Sequence, residues 1–202
     1  MKKIVFGIGT GRCGTVSLCK LLNTQKNANI THEDKEELPW EFSKEIIDRK
    51  LNNIRGRNGK YVGDIAFYYL PYVEYIIEKI PSVKFICLER KKEEVVKSYM
   101  KKTWGRNHWV NHKGIRWRKD PKWDKCYPKY DVLFKKSALR KYWDDYHQKS
   151  LQLEQLYPKN FKLMNMRFAL NTREGVLELL KFIQITDNDI IVEKRIKANA
   201  IS

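Results

Sequence analysis

The sequence predicts an α/β fold in three layers, with helices on both faces of a central parallel sheet. Three observations carry this. Short apolar runs recur along the 202 residues, each about as long as a strand buried on both faces. Segments with apolar residues at helical spacing separate them. The regular alternation of the two kinds is what a covered parallel sheet requires.

Strand one covers residues 2–7, built on Ile4-Val5-Phe6, and residues 15–22 begin the first helix through Val16, Leu18, Leu21 and Leu22. Residues 28–31 form a short second strand leading to His32-Glu33-Asp34. Residues 40–51 read as a helix anchored by Trp40, Phe42, Ile46 and Ile47, and residues 55–60 as a glycine-containing turn. Strand three is Tyr61-Val62-Gly63-Asp64-Ile65. A helix over residues 69–80 follows, with Pro71 in its first turn, where the missing N–H costs nothing. Strand four covers 83–88 and the next helix 93–101. Residues 102–130 are irregular, a helix runs from about 132 to 156, strand five covers 161–166, and a last helix covers 173–183. The tail from 187 to 202 has no assignable pattern. The whole chain reads as one domain with an insertion at 102–130.

In parallel sheets of this kind ligands sit beyond the carboxyl ends of the strands. Strand one ends in Gly7, Gly9, Gly11 and Gly14 before a helix starts. Strand, glycine-rich turn and helix start together make a phosphate cradle, because glycines admit an anion close to the backbone and the helix N-terminus adds positive potential. Gly9 and Gly14 have the spacing of a nucleotide-kinase loop, but Thr15 stands where the phosphate-binding lysine belongs. Arg12 is the loop's one strong cation. The other strand ends supply His32-Glu33-Asp34, Asp64 and Glu89-Arg90, and all four are expected to converge on one cleft.

Composition narrows the setting. Hydrophobic residues make up 42% of the chain, enough for a core. No apolar run reaches transmembrane length, and the glycine turn arrives too early for a signal peptide, so a cytoplasmic protein is expected. Cys13, Cys19, Cys87 and Cys126 show neither zinc nor disulfide spacing. The net charge of +17 calls for anionic partners or is a lysine-rich solvated surface. Residues 101–125 hold nine Lys/Arg against two Asp, interleaved with Trp104, Trp109, Trp117 and Trp123 and including His108 and His112. Such a mixture suits sugar rings, bases or anionic chains, or simply packs a long loop onto the domain.

A second anion site follows strand four. Arg90 stands at its end and Ser98 two helical turns on, a planar fork and a short hydroxyl that together can hold one more phosphate. With both motifs in view, the chain resembles the sulfotransferases that use 3′-phosphoadenylyl sulfate (PAPS). Their first signature corresponds to Gly9-Thr10-Gly11-Arg12-Cys13-Gly14-Thr15, with Cys13 in place of the usual small hydroxyl. Their second corresponds to Arg90 and Ser98 at the same eight-residue spacing. The resemblance covers residues 1–102 and, more weakly, 161–185. It departs at Arg167-Phe168-Ala169-Leu170, where the family often has an acidic turn, and in lacking the C-terminal glycine-rich nucleotide loop. The basic tail residues Lys194, Arg195 and Lys197 are the candidate substitutes.

The resemblance implies a P-loop nucleoside triphosphate hydrolase-like sheet and transfer of a sulfuryl group from PAPS to a hydroxyl or amine, possibly on a carbohydrate, leaving PAP. It implies that Gly11, Arg12, Cys13, Gly14, Thr15, Val16, Ser17, Arg90 and Ser98 hold the donor, with no metal. Arg12 also stabilises charge in the transfer. Glu33 is the expected base and His32 its alternative. Asp64, where the family often places a cation, orients the acceptor, the base or Arg12. The acceptor is a small molecule or carbohydrate, and no nucleic-acid partner or membrane span is expected. The competing readings are a P-loop kinase, opposed by Thr15 at the lysine position, and a non-enzymatic nucleic-acid-binding protein, which leaves Arg90 and Ser98 unexplained.

Overall fold

A computed structural model describes residues 2–185 and 190. In chain order the elements are β1 (Lys3–Ile8), α1 (Thr15–Asn23), β2 (Ala28–His32), α2 (Lys44–Gly56), β3 (Tyr61–Ile65), a 3-10 turn (Phe67–Tyr72), α3 (Val73–Lys79), β4 (Lys84–Glu89), α4 (Lys92–Lys102), α5 (Pro121–Asp124), α6 (Lys135–Leu156), β5 (Phe161–Asn165), α7 (Met166–Asn171) and α8 (Arg173–Phe182). The five strands form one parallel sheet in the order β2-β3-β1-β4-β5. The expected three-layer α/β architecture is therefore the observed one.

The strands alternate sides as the pleat dictates. Ile4, Phe6, Ile8, Val62, Phe85 and Cys87 pack into a core with α2, α3, α4 and α6. Val5, Tyr61, Ile65, Ile86 and Leu88 pack into a second core with α1, α7 and α8. Phe6 stacks on Phe85 at 5.1 Å between ring centres, tying the two central strands on the first face. Both faces of the sheet are covered, which is why its strands read as nearly unbroken apolar runs.

Several boundaries differ from the sequence expectation, among them the end of the second helix, which runs to Gly56 rather than residue 51, and Pro121–Asp124, which forms α5 within the segment expected to be irregular. The helix expected from residue 40 starts at Lys44, because the Trp40 N–H donates to the Lys125 carbonyl at 2.8 Å and Trp40 leans on Tyr142 instead. Phe42 lies outside the helix, half exposed. The helix expected from residue 69 is a 3-10 turn up to Tyr72 and α-helical only from Val73, with Pro71 inside the turn. A short helix, α7, follows β5 where no element was expected, capped by the Asn165 side chain, which accepts from the Arg167 and Phe168 N–H groups. The tail residues Lys194, Arg195 and Lys197 lie outside the described residues. Among the described residues no helix is long and apolar enough to cross a membrane.

Candidate functional site

The glycine loop between β1 and α1 is fixed from beneath by three tyrosines. Tyr99 on α4 and Tyr142 on α6 both donate to the Thr10 carbonyl, at 2.7 and 3.0 Å. The Gly9 N–H donates to the Tyr146 hydroxyl at 3.0 Å, and that hydroxyl donates to the Phe67 carbonyl. Glycine is required where the loop passes these rings. Gly11 has φ of 79° and a Cβ there would lie 2.0 Å from the Tyr99 oxygen. Gly14, at φ 88°, caps α1 against Met166 and Leu170 of α7. The Thr10 carbonyl is turned down, and the Gly11 and Cys13 N–H groups point to the buried Cys13 thiol, which leaves the open side to the first-turn amides of α1 at Thr15 and Val16.

The two motifs expected to bind anions meet. Arg12, itself in the left-handed region at φ 57°, donates from Nε to the Ser98 hydroxyl at 3.0 Å. Arg90 donates from Nη1 to the Arg12 carbonyl at 3.0 Å. The strand-one loop and the β4–α4 junction, 78 residues apart in sequence, are thus one hydrogen-bonded unit. Arg90 also donates to Glu94, which in turn accepts from Arg167 on α7. Glu94 did not stand out in the sequence, and Arg167 did so only as a departure from the family's acidic turn; their pairing depends on α7. Cys13 is fully enclosed, and burial pushes its thiol up to about 11, so only its backbone can face an anion. Ser17 sits half-buried in the first turn of α1.

The end of β2 reaches the same place. His32 Nε2 lies 3.1 Å from the Thr15 hydroxyl, and burial lowers the His32 pKa, so its ring is neutral at physiological pH. Glu33 turns out of the strand at φ 51° while its N–H donates to the Ile65 carbonyl. Burial, helped by the negative charge of Asp64, raises the Glu33 carboxyl to about 7, against the opposing pull of Lys122 and Arg12. Lys122 belongs to α5 in the Trp-rich segment and pairs with Glu37 at 2.7 Å. Sequence reasoning missed it, because its place beside Glu33 depends on how a long loop folds back.

Asp64 is the exception to the expected convergence. It is wholly buried and lies opposite Phe6 within the sheet, behind the cleft. Its carboxylate accepts from the Thr31 hydroxyl at 2.7 Å, the Tyr69 hydroxyl at 2.8 Å and the Asp34 N–H at 3.3 Å. The buried Lys50 ammonium lies 3.5 Å away and also donates to the Asp34 and Glu36 carbonyls. Through the Asp34 N–H, Asp64 pins the turn that follows Glu33. Lys50 was missed because a lone lysine on a predicted helix looks like a solvated one.

Among the described residues no group of three or more His, Cys, Asp or Glu side chains is placed to hold a metal ion. The four tryptophans of the Trp-rich segment separate. Trp109 is fully buried against Tyr99 and Tyr127, whereas Trp104 is 81% exposed.

No curated protein matches the chain by sequence. Among solved structures, mouse sulfotransferase SULT7A1 complexed with PAP superposes with a TM-score of 0.56 at 12% identity, over 94% of this chain and 61% of that one. The chain thus spans about three-fifths of that relative's length. The family model described as a sulfotransferase domain matches residues 4–185, nearly the whole described chain including both anion-binding motifs, and the chain therefore belongs to the sulfotransferase family.

Proposed function

We propose that this protein transfers a sulfuryl group from PAPS to a hydroxyl or amine of a small-molecule or carbohydrate acceptor. The observation that carries the reading is the coupling of the two anion-binding motifs through Arg12, Ser98 and Arg90. A donor with phosphate on both the 5′ and 3′ positions needs two adjacent anion sites, and this unit offers both. The relative with PAP in its structure supports the same choice.

In this reading the amides of Gly14, Thr15 and Val16 hold the 5′-phosphosulfate, with the Ser17 hydroxyl beside them. Arg90 and Ser98 hold the 3′-phosphate. Arg12 lies between and stabilises charge on the oxygens that develop it, in a transfer that resembles phosphoryl transfer in needing alignment and electrostatics above all. Glu33 takes the acceptor proton. A carboxyl near 7 is well matched to that task at neutral pH, being half ionised yet basic enough to accept. The acceptor oxygen forms its bond to sulfur, the bond from sulfur to the bridging phosphate oxygen breaks, and PAP leaves with that electron pair. His32 holds Thr15, and Asp64 holds the turn of Glu33. All four cysteines, Cys13, Cys19, Cys87 and Cys126, are unpaired, which supports work in the reducing cytoplasm.

Calorimetry with PAP and with ATP, both without magnesium, tests the donor site. Tight binding of PAP that is lost in Arg90→Ala is the expected result. Equal or better binding of ATP, or binding of neither, would overturn it.

A further inference from the structure

The Trp-rich segment presents a surface that the transfer chemistry does not use. Trp104 is 81% exposed, Ile115 93%, Leu133 82% and Phe134 63%. These are half of the eight large hydrophobic side chains that stand exposed among the described residues. Scattered, they would mean little. Hydrogen bonds and ring contacts instead gather them at one pole. Lys135, next to Phe134, donates to the Thr103 carbonyl at 2.6 Å and sits 5.5 Å from the Trp117 ring. The Arg118 N–H donates to the Gly105 carbonyl at 2.9 Å, which folds the turn bearing Ile115 back beside Trp104.

Charge at the same pole is mostly positive, with Asp131 the exposed acid beside Leu133 and Asp120 paired to Arg106. From Val95 to Lys119 the chain has no acidic residue, and Lys101, Lys102, Lys113, Arg116, Lys119 and Lys136 around the apolar tips are exposed. Protruding indole and aliphatic side chains set in a ring of cations match the two layers of an anionic bilayer surface. The apolar tips suit the acyl boundary and the cations suit the headgroup phosphates and carboxylates. A soluble polyanion would use the cations but gains nothing from exposed Ile115 and Leu133.

We propose that this pole, carried by Trp104, Ile115, Leu133 and Phe134, docks the protein onto anionic membrane surfaces. The docking is reversible and peripheral, with no helix of the described residues long and apolar enough to cross the bilayer. It goes beyond the sulfuryl-transfer reading and does not depend on it.

Co-sedimentation with phosphatidylcholine vesicles, with and without phosphatidylserine, tests the docking. The full chain should bind the anionic vesicles and leave the neutral ones largely unbound. Substituting Trp104, Ile115, Leu133 and Phe134 together by Ser should lower the partition coefficient at least about tenfold. Lys113→Glu with Arg116→Glu and Lys119→Glu should lower it about a hundredfold. All these side chains are exposed, so the fold should survive, as PAP binding or thermal unfolding can verify. Phe42→Ser, an exposed apolar side chain outside the pole, should bind as the parent does. Equal binding of the serine variant and the parent would overturn the proposal. So would capture by dextran sulfate without capture by anionic vesicles.

Discussion

Two acids stand at the ends of neighbouring strands and have opposite fates. Glu33 follows β2, faces the loop, and has burial without a full set of partners, which lifts its pKa to about 7. Asp64 lies in β3, wholly enclosed, with three hydroxyls, an N–H and the Lys50 ammonium around it. Burial alone thus does not make a carboxyl a base. The carboxyl ringed by donors is held as scaffold, and the one with few is the proposed base. The pair is also coupled, since the charge of Asp64 helps to raise Glu33.

The comparison breaks most sharply at Glu33. Glu33→Gln should lower kcat about a thousandfold, the scale of a lost general base, with PAP affinity kept; steady-state kinetics with any accepted hydroxyl would check it. An unchanged kcat would move the base to His32. Asp64→Asn should act on stability instead, by about 3 kcal/mol, because it strands the Lys50 charge in the interior. Chemical denaturation would read this, and pairing the change with Lys50→Met should recover much of the loss.

A finer test uses pH. Glu33 titrates at about 7 in the folded state against an ordinary 4.5, so the folded state binds its proton more tightly. Its contribution to stability is therefore full below about 4.5 and is lost as pH rises through 7. Glu33→Gln should gain melting temperature relative to the parent across that window, and kcat/KM of the parent should rise with pH through about 7. The smallest effect is expected for His32→Ala, roughly tenfold in kcat/KM, because it removes only the support of Thr15. The same kinetics would show it.

The cradle and the β4–α4 pair were legible in the sequence because each is contiguous: a strand, a few residues of loop and a helix start. The sheet was legible for a similar reason, since strands covered on both faces leave unbroken apolar runs. The role of Asp64 was not legible, because its partners Lys50 and Tyr69 come from other elements and only tertiary packing brings them together. The start of α2 was misplaced for the same reason, with Trp40 strapped to Lys125 from 85 residues on. In the Trp-rich segment, nothing local separates buried Trp109 from exposed Trp104.

The three tyrosines under the glycine loop have a consequence for timing. Because Tyr99, Tyr142 and Tyr146 already hold Thr10 and Gly9, the loop need not be ordered when an anion arrives. Its backbone entropy is spent during folding, so association should be a simple one-step encounter. The Gly9 amide should then resist hydrogen exchange before any ligand is added, and shortening Tyr99 to Phe should show itself first as faster release of PAP.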